Sequence, residues 1–163
     1  MIYYYLDASA WVKLYHQEAG TAWIRKFFNQ KPTLACASIG VIEVTATLTR
    51  KQKTKAYSVT ELDEKLDNLA EHWENFIQVH LYPEALTLAQ KTARNLALRG
   101  ADAVHLASAL ILQNRFTETT DQVIFVASDR ELKIGAQASG LFVIDPVEDE
   151  LAGKIPSAGS NEN

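Results

Sequence analysis

The sequence predicts an α/β fold, a three-layer α/β/α sandwich around a five-stranded, mainly parallel sheet. Two observations predict it. Five short apolar runs recur along the chain, and between them the apolar residues fall at the three- and four-residue steps of helices. Strands that alternate with helices pair in parallel through right-handed crossovers, which places helices on both faces of the sheet. A length of 163 residues and a hydrophobic content of 47% suit one domain with a substantial core.

The first run, residues 2–6, ends at Asp7 and has the unbroken apolar character of a strand buried on both faces. The second, "TLACA" at 33–37, leads into Ser38, a suitable N-cap for a helix reaching about Lys53. Val59, Leu62, Leu66, Leu69, Trp73 and Phe76 then form one apolar stripe along a second long helix. The third run is "FIQVH" at 76–80. Pro83 suits the first turn of the next helix, whose stripe is Ala85, Leu88 or Ala89, Thr92, Ala93 and Leu96, with Gly100 as its stop. "RGADAVHLASALIL" at 99–112 is a buried helix of small and apolar residues that opens with a carboxylate, Asp102. The fourth and fifth runs are "QVIFVA" at 122–127 and "LFVID" at 141–145, the latter before Pro146. The domain is expected over residues 1–150, with a flexible C-terminal tail at 151–163, because "GKIPSAGSNEN" has no apolar periodicity.

Bulk properties narrow the function. The net charge of -4 gives no general attraction for nucleic acid or anionic membrane, so a phosphate-bearing partner needs a local basic patch or bound cations. The N-terminus "MIYYYLDASAW" has neither a basic region nor a long apolar one, so it does not read as a signal peptide. The longest apolar stretch, about ten residues from Ala103, is too short to span a bilayer. No membrane role and a cytoplasmic location are expected. The lone Cys36, inside "LACAS", reads as a buried, inert thiol.

In open α/β sheets ligands bind outside the carboxyl ends of the strands. Asp7 directly follows the first run and Asp129 directly follows "VIFVAS", so both belong to that edge. Glu43 lies early in the helix after "TLACA", and Asp102 at the start of its helix. Each has a bland alternative: Asp102 suits helix capping, and Asp7 and Asp129 suit the positive end of a helix dipole. Glu43 fits such a reading less well, because its helix is otherwise Ile39, Val41, Ile42, Val44, Ala46 and Leu48. Four carboxylates on one rim repel one another unless divalent cations sit among them. Hard oxygen donors without a Cys/His set point to Mg²⁺ or Mn²⁺. The chemistry this suits is attack of a cation-activated water on a phosphodiester, with the cation neutralising charge on the transition state.

"YLDASAWVKLYHQEAG", "SIGVIEVTATLTR", "GADAVHLASAL" and "FVASDRELKIGAQASGLFVIDP" resemble, in order and spacing, the motifs of the PIN-domain family, and within it the VapC-type ribonuclease toxins. The likeness covers about residues 1–147. It implies a five-stranded parallel sheet, an acidic cluster binding Mg²⁺ or Mn²⁺, and cleavage of single-stranded or loop RNA. Asp7, Glu43, Asp102 and Asp129 match the family's acidic quartet. Ser9 matches the hydroxyl two residues after the first acid, which is expected to orient that acid or a water. Many members carry Thr or Ser two residues before the last acid, where this chain has Ala127; Ser128 is a candidate substitute hydroxyl, and Asp129 is the least secure of the four ligands, with action through water as its alternative. The resemblance also implies a type II toxin–antitoxin module, a small antitoxin covering the active site, and a homodimer.

For the RNA substrate, "RKQKTKAY" at 50–57 offers Arg50, Lys51, Lys53 and Lys55 for phosphate positioning, and Arg130 and Lys133 flank Asp129. The same run also reads as a solvated helix end. His105, one turn after Asp102, reads as a packed, hydrogen-bonded core residue, and His16, His72 and His80 have no metal spacing. Alternatives are a PIN-like module that binds RNA or protein without cutting and a stand-alone RNA-processing nuclease. A haloacid-dehalogenase-like phosphatase wants an aspartate at position 9, which is Ser9. A dinucleotide-binding domain wants a glycine-rich turn after the first strand, which is missing.

Overall fold

A computed structural model describes residues 1–116 and 119–157. Five strands, β1 (Ile2–Leu6), β2 (Leu34–Ala37), β3 (Ile77–Val79), β4 (Gln122–Val126) and β5 (Phe142–Ile144), form one sheet of order β3-β2-β1-β4-β5. Every pairing is parallel, so the sheet is wholly rather than mainly parallel. The crossovers carry α1 (Ala8–Trp11), α2 (Thr21–Phe28), α3 (Ser38–Lys53), α4 (Val59–Glu74), α5 (Pro83–Leu96), α6 (Gly100–Asn114) and α7 (Arg130–Ala138), and α8 (Pro146–Leu151) follows β5.

The pleat of β1 explains the two cores. Successive side chains of a strand point to opposite faces. Tyr4 and Leu6 pack with Trp11, Phe27, Val44 and Leu48 beneath α1–α4. Tyr5 points the other way, into Ala103, Leu106, Phe125 and Leu132 beneath α5–α7. β1 is central and pairs with β2 on one side and with β4, about 120 residues later, on the other.

Local chemistry sets the helix ends, and three differ from the expectation. Ser38 is the first residue of α3 rather than its N-cap. Ala37 occupies that place, and the Ser38 hydroxyl pairs with Nδ1 of His80 at 2.9 Å. Gly100 opens α6 instead of stopping α5, which ends at Leu96 with Ala97 in the left-handed region at φ 53°. α8 is an unexpected helix. Asp145 caps it by accepting the Val147 N–H at 2.8 Å, and Pro146 fits its first position.

Residues 150–157, at the start of the expected tail, make contacts with the body of the domain. Glu150 accepts hydrogen bonds from the N–H groups of Gly20 and Ala22, supplying the cap that Gly20 at the start of α2 lacks. Beyond it Pro156 is buried, its carbonyl accepts from Gln30, and the Tyr4 hydroxyl donates to the Ser157 carbonyl at 2.8 Å. The rest of the expected tail, 158–163, lies outside the described residues. Among the described residues no helix is long and apolar enough to cross a membrane.

Candidate active site

The carboxyl ends of β1, β2 and β4 open onto one cleft of about 670 Å³ whose lining includes Asp7, Ser9, Glu43, Asp102, Ser128 and Asp129. The sequence places each acid through a different element. Asp7 ends β1 and caps α1, its Oδ2 accepting the Ser9 N–H at 3.0 Å. Asp129 follows β4 and caps α7, its Oδ1 accepting the Leu132 N–H at 2.9 Å. Ser9 ties the two strand ends together, because its Oγ accepts the Ser128 N–H at 2.9 Å. Ser9 thus orients Asp7 through its backbone, while its hydroxyl serves the neighbouring loop.

Glu43 reaches the cleft because α3 lies unusually close to the sheet. A Cβ at Gly40 would stand 2.4 Å from the Cys36 sulfur and 3.3 Å from the His105 ring, so only glycine permits that approach. Asp102 sits in the first turn of α6 and is 8% exposed. It does not cap the helix, since α6 begins two residues before it.

The four acids form two pairs. In the first, His105 lies beneath Asp7 and Glu43 with its side chain wholly buried. Its Nε2 is 2.6 Å from Glu43 Oε2 and 3.5 Å from Asp7 Oδ1. Nδ1 faces the Tyr5 hydroxyl at 3.0 Å, and that hydroxyl already accepts the Ala37 N–H at 3.0 Å. For the neutral imidazole the pattern runs one way: Tyr5 donates to Nδ1, and the Nε2 proton goes to the carboxylates. Burial disfavours the imidazolium, but the Asp7 and Glu43 carboxylates favour it, and the His105 pKa lies well above its ordinary value. Burial also raises the Tyr5 hydroxyl and the Cys36 thiol, keeping both protonated at neutral pH.

The second pair is bridged by Arg99. Its Nε donates to Asp102 Oδ2 at 2.9 Å and its Nη2 to Asp129 Oδ2 at 3.0 Å. Burial raises the Asp102 carboxyl, Arg99 opposes this, and the charges of Asp129 and Asp7 add to the upward shift. Among the described residues no three His, Cys, Asp or Glu side chains are gathered into a finished metal cage. The donor chemistry nevertheless fits a hard divalent cation. All four acids offer oxygen, the one cysteine is buried, and an organic cation already bridges two of the four.

The other candidates divide. Arg50 and Lys51 line the cleft, but Lys53 and Lys55 do not, because α3 ends at Lys53 and the backbone turns left-handed at Lys55. Arg130 and Lys133 line a separate depression of about 310 Å³, and Lys133 is committed to Asp145 and Glu148. The Ser128 hydroxyl donates to Asp145 Oδ1 at 2.9 Å, so it turns away from the acids rather than replacing the hydroxyl missing at Ala127. Sequence reasoning missed Arg99. Its signal was an Arg three residues before Asp102 at a helix start, a spacing that brings side chains together.

A wholly parallel α/β sheet with carboxylates from separate elements at its carboxyl edge defines an acid-cluster protein of the doubly wound class. The chain belongs to the PIN-domain family, whose model matches residues 4–134. It is 32% identical over 136 residues to ribonuclease VapC45 of Mycobacterium tuberculosis, covering 83% of this chain and 90% of that one. Among solved structures it resembles PAE2754 of Pyrobaculum aerophilum, with a TM-score of 0.65, 20% identity, and coverage of 93% and 94% of the two chains. It also resembles VapBC-5 of M. tuberculosis, a member of the VapBC family of toxin-antitoxin systems. There the TM-score is 0.52, the identity 14%, and the coverage 88% and 96%. These two likenesses concern the fold.

Proposed function

We propose that this protein is an endoribonuclease that hydrolyses RNA phosphodiester bonds and is the toxin of a type II toxin–antitoxin module. The relatedness to VapC45 over most of both chains supports the reaction class. The observation that carries it to the site is the convergence of Asp7, Glu43, Asp102 and Asp129 on one open cleft with Arg50 and Lys51 on its wall.

Asp7, Glu43 and Asp102 would hold a Mg²⁺ or Mn²⁺ ion, with Asp129 assisting. Bound there, the cation supplies charge neutralisation at the phosphodiester and activation of the attacking water. The chain's own residues do the rest. His105 holds the Glu43 carboxylate in place from beneath and keeps the Asp7 carboxylate beside it. Ser9 holds the β1 and β4 ends in register through Ser128. Arg50 and Lys51 position the RNA backbone beside the acids. A small antitoxin that covers the cleft and a homodimeric assembly belong to the same reading, which the VapBC relationship supports.

The test incubates the purified full chain and its Asp7→Asn variant with a panel of RNAs in Mn²⁺ and in EDTA. Cleavage by wild type in Mn²⁺ alone is expected. Intact RNA under every condition would remove the nuclease reading. Co-purification with the product of a neighbouring short reading frame tests the antitoxin, and solution mass tests the dimer.

A further inference from the structure

We propose that Arg99 is a built-in counter-ion that competes with the divalent cation for Asp102 and Asp129, so that loading the cleft requires its guanidinium to swing out. This rests on the reading of the acid cluster as a cation site.

The two pairs of acids are held by groups of opposite character. Asp7 and Glu43 share His105, whose side chain is wholly buried and fixed on its far side by Tyr5. That imidazole cannot leave without opening the core. Asp102 and Asp129 share Arg99, whose side chain is 71% exposed and has no other hydrogen-bond partner among the described residues. Its Cα precedes the first turn of α6, and its side chain makes no cap hydrogen bond there.

Position matters as much as mobility. The guanidinium takes one oxygen from each of two carboxylates, Asp102 in the first turn of α6 and Asp129 at the cap of α7, so it stands between two of the acids that would hold the cation. Asp102 is nearly buried, and Arg99 holds its Oδ2. Guanidinium and metal ion therefore contest the same oxygens. Exposed ion pairs are weak, so a divalent ion gathering several carboxylates wins the exchange at a moderate cost in apparent affinity.

The test measures Mn²⁺ binding by titration calorimetry on the metal-free full chain as wild type, Arg99→Gln and Arg99→Lys. Melting temperature in EDTA serves as the check on folding. Arg99→Gln is expected to bind Mn²⁺ about three- to tenfold more tightly than wild type. Arg99→Lys, which keeps the charge, is expected to stay near wild type. Unchanged or weaker Mn²⁺ binding by a folded Arg99→Gln variant, with wild type binding normally, would overturn the competition while leaving the cation site in place. Failure of all three proteins to bind Mn²⁺ would overturn the cation site itself, and the proposal with it.

Discussion

The two halves of the cleft handle the same electrostatic problem differently. Asp7 and Glu43 are held by an imidazole at zero exposure, backed by Tyr5 and the Ala37 N–H in the floor of the sheet. Asp102 and Asp129 are held by a guanidinium that stands mostly in solvent. A carboxylate held from the core is already in place before a ligand arrives, whereas one held from outside can change partner. The first half supplies geometry, the second adaptability.

The largest test of that contrast compares acid removal in the two halves. Asp7→Asn and Glu43→Gln should each lower RNA cleavage at least about 100-fold, and Asp129→Asn should cost less than about tenfold. Single-turnover cleavage in Mn²⁺ measures this, and equal losses across all three would erase the distinction. Next is the floor. His105→Leu leaves the Tyr5 hydroxyl and Glu43 without their partner and should lower unfolding stability by roughly 2–4 kcal/mol in urea titration. A neutral outcome would mean that the imidazole does not hold the core half.

The close approach of α3 comes third. Gly40→Ala forces a methyl group toward the Cys36 sulfur and should cost roughly 1–3 kcal/mol. Adding Cys36→Ala should recover most of that loss, and a double variant no better than the single one would place the strain elsewhere. Smallest is a control acid outside the cleft lining. Burial pushes the Asp145 carboxyl up, but Lys133, the Val147 N–H and Ser128 pull it down further, to a net value below the ordinary range. A depressed carboxyl stabilises the fold above its unfolded pKa and loses that contribution as pH falls through the folded one. Asp145→Asn should therefore lower the melting temperature by about 2–4 °C near pH 7 and by progressively less in acid. A gap that stays constant with pH would contradict the ion pair.

Much of this arrangement is legible in the chain. Asp7 and Asp129 stand where strands end, and parallel topology sends such residues to one edge whatever the packing details. Glu43 stands out because it interrupts an apolar helix. The cap reading of Asp102 fails for a local reason, since α6 starts at Gly100 and so the acid falls within its first turn. Sequence reading of His105 as a core residue captured its burial and not its second face, because contact with Glu43, 62 residues earlier, depends on how α3 and α6 meet. The basic run at 50–57 reads as a block, yet the end of α3 leaves only Arg50 and Lys51 on the cleft wall. α8 is too short for periodicity to reveal, and its Glu150 acts across 130 residues on Gly20.

The strand order has a consequence for synthesis. β1 leaves the ribosome well before one of its neighbours, β4, which begins at Gln122, and before Glu150, which supplies the cap on α2. Non-local pairings of this kind form only after both partners exist. A nascent chain carries Asp7 and Glu43 long before Asp129, and it cannot join the β1 and β4 ends through Ser9 and Ser128 until most of the chain has emerged. The rim of the cleft thus joins distant parts of the polypeptide, Asp7 and Ser9 at the end of β1 with Ser128 and Asp129 at the end of β4.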